Sequence, residues 1–236
     1  MKLNGTLLNT QRREMIKISD EDIGDNHLWT SIETPMNDSA FEKTAEEKKA
    51  KIAHHFREIM DTLGLDLKDD SLKGTPDRVA KMYVEEIFSG LDPMNKPKIA
   101  LFENKYQYGE MLVEKNIDVY STCEHHFLPI VGKAHVAYIS NGNVIGLSKI
   151  NRIVQYYSKR PQVQERLVVQ ISKALQEALN TEDVAVLIEG KHLCVSSRGI
   201  EDTSSSTVTS EYSGKFKDKA VRNEFLAYVR TDLMGA

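Results

Sequence analysis

The stretch Cys123-Glu124-His125-His126 holds the densest run of reactive side chains in the sequence. Cys123 and His126 lie three apart, a spacing by which a turn or strand end offers two ligands to one metal. The other cysteine, Cys194, comes 68 residues after His126 (194 − 126), in His192-Leu193-Cys194. Strand alternation would put His192, Cys194, Ser196 and Arg198 on one face. If the two strands are neighbours, Cys123, His126 and Cys194 supply three ligands. Two thiolates and an imidazole favour Zn²⁺ over hard cations. Three protein ligands leave a fourth position for water, as in catalytic rather than structural zinc. His125 and His192 would flank that water as proton-transfer groups. The same residues also fit buried free thiols beside core histidines, a Cys123–Cys194 disulfide, or a structural zinc with Glu124 or His135 as fourth ligand.

Two further groups could bind a substrate. Lys149 and Arg152 lie three apart, just inside a helix that Ser148 is expected to cap. They share a face near free backbone N–H groups at the positive end of the helix dipole, which suits a phosphate. Arg198, on the Cys194 face, could bring cations and metal together. In isolation these residues also read as a solvated basic face. After Pro161, Gln164 and Glu165 open another helix. A carboxylate there, beside an amide, can accept paired N–H donors from a planar ring such as guanine. Equally, Glu165 could serve only the helix dipole.

These groups need elements to hold them. Residues 1–44 read as a flexible arm, with Trp29 as its candidate docking residue. From Ala45, the residues Ile52, Phe56, Ile59, Met60 and Leu63 fall on one helical face, and Gly64 follows as a stop. A second helix is expected over TPDRVAKMYVEEIFSGL, with Thr75 as N-cap, Pro76 first, and a stripe of Val79, Met82, Tyr83 and Ile87. Strand patterns follow in NIDVYST, IVGKAHVAYIS and VIGL. Helices are expected through Ile150–Tyr157 and Gln164–Leu179. VAVLIEG and HLCVSSR read as paired strands turning near Gly190 and Lys191, followed by a Ser/Thr-rich β segment and a helix carrying Val221, Phe225 and Val229. The result is one α+β domain over 45–236: N-terminal helices over 45–92, then a core from about 98.

Composition bounds the function. The 236 residues are 40% apolar and 28% charged, enough for a real core, which excludes a wholly disordered chain. A net charge of −4 gives no basic field for nucleic acid. The longest apolar runs are too short for a bilayer, and MKLNGTLLNTQRRE has no signal-peptide pattern, so a cytoplasmic location is expected. Two cysteines do not make a disulfide scaffold.

Taken together, the motifs resemble the GTP cyclohydrolase I family. The matching text is GTPDRVAKMYVEEIFSGL, STCEHHFLPIVGKAHVAYI, GLSKINRIVQYYSKRPQVQERL and HLCVSSRGIEDTSSSTVTSEYSGKF. It covers residue 45 to the C-terminus; residues 1–40 follow no pattern of that family. The resemblance implies a tunnelling fold (T-fold) with an antiparallel sheet and helices on one face. It implies hydrolysis of GTP to 7,8-dihydroneopterin triphosphate and formate, a first step of pterin and folate synthesis. It assigns zinc to Cys123, His126 and Cys194, and proton transfer to His125 and His192. Glu165, with Gln164 beside it, would hold the guanine edge, and Ser148 the ribose. Lys149, Arg152 and Arg198 would hold the triphosphate, joined by Arg78 from a neighbouring subunit. A homodecamer with sites at subunit interfaces is implied. Two competing readings are a T-fold nitrile reductase with a cysteine nucleophile, and a zinc-stabilised nucleotide-binding scaffold.

Overall fold

The computed structural model describes residues 31–231, so Trp29 lies outside the described residues. Thr44 and Glu47 form a capping box: the Thr44 hydroxyl accepts the Glu47 N–H at 3.2 Å, and the Glu47 carboxylate accepts the Thr44 N–H at 2.8 Å. Helix α1 (Ala45–Thr62) starts there, and Gly64, at φ 81°, takes the chain out of it. Helix α2 (Thr75–Lys81) is capped by Gly74, not by Thr75, which is its first residue. The Thr75 hydroxyl instead accepts from Arg78 at 2.9 Å. The helix then widens into a π-helical stretch, Met82–Ile87. That change of pitch breaks the expected apolar stripe and leaves Met82 exposed.

The rest runs β1 (Leu101–Glu103), β2 (Met111–Cys123), β3 (Pro129–Ile139), β4 (Asn143–Ile145), α3 (Leu147–Ser158), β5 (Pro161–Gln162), α4 (Gln164–Leu179), β6 (Val184–His192), α5 (Leu193–Ser196), β7 (Thr207–Tyr212) and α6 (Lys219–Arg230). The main sheet has the order β5-β2-β3-β6-β7; β1 and β4 pair separately. Strands β2 and β6 each run antiparallel to β3, hence parallel to one another. Thr122 pairs with Pro129, and His192 with Ile130. The register therefore brings Cys123 and His192 to the same sheet end. Strand β5 adds to that end in parallel, pairing Gln162 with Cys123.

Helices α3 and α4 cover one face. Ile150, Ile153, Ile171 and Leu175 pack there on Val119, Val136, Tyr138 and Val186, all but fully buried. Each such side chain contributes about 1.5–3 kcal/mol on leaving water. The opposite face is not bare, as helices on one face alone would leave it. At one end Phe216 and α6's Phe225 pack against Ala137, Ile139 and Ala185. From Ile32 onward the chain forms one unit. Gln170 of α4 donates to the Ile32 carbonyl at 3.0 Å, so part of the stretch read as an arm packs on the core.

Two expectations about β6 change. VAVLIEG and the following residues form one strand, with no turn at Gly190. Gly190 is there for space: a Cβ would lie 2.7 Å from the Gln164 Oε1. Leu193–Ser196 is a helical turn, so Cys194 is presented by that turn and not by strand alternation. In β2, a bulge sets Lys115 and Asn116 opposite His135. Asn116 sits at φ 60° and donates its N–H to His135 Nδ1 at 3.4 Å.

Candidate active site

Strand β2 ends in a tight turn that carries the histidine pair outward. The Cys123 N–H donates to the Leu128 carbonyl at 2.8 Å, and the Phe127 N–H to the Cys123 carbonyl at 2.9 Å. Phe127 takes φ 55°, and its ring meets Phe88 edge-on at 5.3 Å, tying the turn to the N-terminal helical segment. Cys123 is buried, while His125 and His126 are exposed. From the Cys123 Sγ, the Nδ1 atoms of His125 and His126 lie at 4.0 and 3.9 Å.

The turn α5 brings Cys194 to meet them. Ligand atoms of Cys123, His126 and Cys194 all lie within 4.8 Å of one another, the only such group found among the described residues. Two thiols and an imidazole at this separation fit one soft or borderline cation. Burial, then the neighbouring Cys123, pushes the Cys194 thiol up; Arg198 opposes this weakly. Metal binding would reverse that by taking the thiolates. Cys123 and Cys194 are free thiols. The other candidates for a fourth ligand are engaged elsewhere. His135 sits in mid-strand at the β2 bulge. Glu124 accepts from Arg166 at 2.5 and 3.2 Å.

Strand β5 sets the start of α4 against the metal loop. The Glu124 N–H donates to the Gln162 carbonyl at 3.0 Å. The Gln162 amide donates to Tyr157 and, at 2.9 Å, to Gln170, which reaches Ile32. Glu165 is exposed at the second position of α4, where its charge acts on His192. Burial holds His192 below the ordinary histidine range, with Glu165 opposing. Gln164, expected beside Glu165 on the substrate, is instead 1% exposed, with its amide bonded within the chain.

The basic group sits elsewhere. Helix α3 is capped by Gly146, not by Ser148, which lies one residue inside. Asn151, next to Arg152, reaches Glu114 at 3.5 Å. Glu114 precedes Cys123 by nine residues on β2 (123 − 114). Asn151 therefore stands beside the Glu114 end of β2, away from the Cys123 end. Ser148 and Lys149 lie further towards the start of α3. Arg198 acts on the Cys194 thiol within one chain. Arg78 is exposed, held by the Ser71 carbonyl at 3.0 Å and by Thr75.

The model of the GTP cyclohydrolase I family matches residues 52–230. The chain belongs to the GTP cyclohydrolase I family. A GTP cyclohydrolase 1 of Flavobacterium johnsoniae is 63% identical over 212 residues, 90% of this chain and 95% of that protein. One from Vibrio parahaemolyticus is 56% identical over 200 residues, 84% and 91% of the two chains. The family's T-fold is the α+β architecture described above. Sequence reasoning passed over the Glu124–Arg166 pair, although both residues lie in matching motifs. The signal was a carboxylate and a guanidinium each beside a candidate site residue. No helix among the described residues is long and apolar enough to cross a membrane.

Proposed function

We propose that this chain hydrolyses GTP to 7,8-dihydroneopterin triphosphate and formate, with zinc held by Cys123, His126 and Cys194. The observation that carries the reading is the convergence of those three ligand atoms within 4.8 Å, with His125, His192 and Glu165 around them. When bound, zinc supplies Lewis acidity that makes water a nucleophile at neutral pH.

The chain's own residues do the rest. The Glu165 carboxylate accepts the adjacent N–H donors of guanine, a pairing a neutral amide cannot match. His125 donates a proton to the five-membered ring, making the carbon between its nitrogens open to attack. His192, held neutral at pH 7 by burial, is ready to accept a proton as the ring opens. Formate leaves after the second hydrolysis. Ser148 acts on the ribose as it opens and recloses onto the exposed amines. Arg198, Lys149, Arg152 and Arg78 hold the triphosphate, which is not cleaved.

Asn151 packs beside the Glu114 end of β2, away from Cys123, which supports the reading that Ser148, Lys149 and Arg152 enter from a second copy. Arg78 joins them from a neighbouring chain. The working form is thus a homo-oligomer, taken to be a decamer, in the cytoplasm. The test is formate release from GTP by the purified enzyme. GTP binding without formate would leave only a nucleotide-binding scaffold.

A further inference from the structure

The side-chain amide of Gln164 has no N–H left to serve a substrate. Its Nε2 lies 3.1 Å from the Ile188 carbonyl, 2.9 Å from the Thr207 carbonyl and 3.0 Å from the Thr209 Oγ1. Carbonyl oxygens only accept, so the nitrogen end of the amide must face β6 and β7. The oxygen end then faces His192, with Oε1 2.9 Å from Nε2. Gly190 keeps that place open, because a Cβ there would press on the same oxygen at 2.7 Å.

An amide oxygen also only accepts. His192 must therefore donate from Nε2, and a neutral imidazole carries one proton. We propose that Gln164 is a positioning residue: it fixes His192 as the Nε2–H tautomer and leaves Nδ1 as the atom that exchanges protons with substrate. This rests on the reading of His192 as a proton-transfer group. It deepens that reading by naming the atom, and it removes the Gln164 side chain from the guanine contacts. Imidazolium donates from Nε2 just as well, so the same bond holds His192 through both charge states.

The test begins with the wild-type, zinc-loaded enzyme labelled with ¹⁵N-histidine. Signals of His192 are identified by their loss in His192→Gln. A protonated Nε2 and a bare Nδ1 are expected in the neutral ring; the opposite tautomer overturns the proposal. Kinetics supply the second arm. Gln164→Met should lower kcat about 10–100-fold, with KM for GTP changed less than about threefold and zinc content retained. The double variant Gln164→Met/His192→Ala should be no slower than His192→Ala alone, because both act through one group. Additive losses, or a raised KM with kcat intact, would return Gln164 to the substrate and overturn the proposal. If His192→Ala keeps wild-type turnover, the reading of His192 itself fails and takes the proposal with it.

Discussion

Arg166 grips Glu124 with both guanidinium nitrogens, at 2.5 and 3.2 Å, the arginine being almost wholly buried and the glutamate partly so. The two residues come from the first turn of α4 and from the loop that carries His125 and His126. The pair therefore fixes the metal loop against the helix that presents Glu165. Removing one partner from a buried pair leaves the other charge uncompensated. Arg166→Met should cost about 3 kcal/mol in urea unfolding and weaken metal retention. A variant with unchanged midpoint and metal content would show that the loop holds its shape without the pair.

Metal dependence follows from the three-ligand set. Dialysis against a strong chelator should abolish formate release, and zinc should restore it. Cys194→Ser should emerge with little bound metal by elemental analysis. Full turnover by verified metal-free protein would defeat the zinc assignment.

Sharing of the site between copies can be read by complementation. His125→Ala should lose about 10²–10⁴-fold in turnover while keeping its zinc. Arg152→Ala should bind GTP poorly while keeping its zinc. Unfolded together and refolded as mixed assemblies, the two should exceed the mean of their parents, because some sites regain both residues. Differentially tagged mixed oligomers with no gain would place Arg152 in its own chain's chemistry or outside it. The same cross with Arg78→Ala tests that arginine.

His135 gives the fold an acid limit. Burial lowers its pKa, outweighing Glu189, while Lys115 and Lys133 add to the lowering. The folded-state value thus lies below the unfolded one, near 6.5. The stabilisation is present above about pH 6.5 and is lost as pH falls from there through the folded value. Protonation would also take the lone pair that accepts the Asn116 N–H. Unfolding free energy should therefore fall from pH 7 towards pH 5, and less steeply in His135→Leu. Equal slopes would clear His135 of the effect.

Much of the fold is legible in the sequence. Helix α4 matched residue for residue, because its apolar period runs unbroken to Asn180, which ends it at φ 51°. Residue type and spacing offered Cys123, His126 and Cys194 as one group beside free-thiol, disulfide and structural-zinc readings; the family resemblance chose among them, and the fold brings the three together. Cys194 lay on the wrong kind of element, because four residues cannot separate strand alternation from one helical turn. Gly190 read as a turn, yet it serves a close approach from Gln164, whose partner lies 26 residues away (190 − 164). The distance between α3's cations and their own metal group was invisible, since it depends on the register of β2 and β3. Gln164 was misplaced for a related reason. An amide beside a carboxylate suggests a ring edge, and only the paired strands reveal that it is already engaged.

The link from Ile32 through Gln170 and Gln162 to the Glu124 backbone bears on where this chain can be cut. The family match starts at residue 52, which tempts one to trim there. Such a cut would discard the Thr44 cap of α1 and the carbonyl that receives the buried Gln170 amide. The gap would open beside the glutamine whose carbonyl secures the metal loop. A safe boundary for a shortened protein lies upstream of Ile32, well outside the stretch that sequence matching marks as the enzyme.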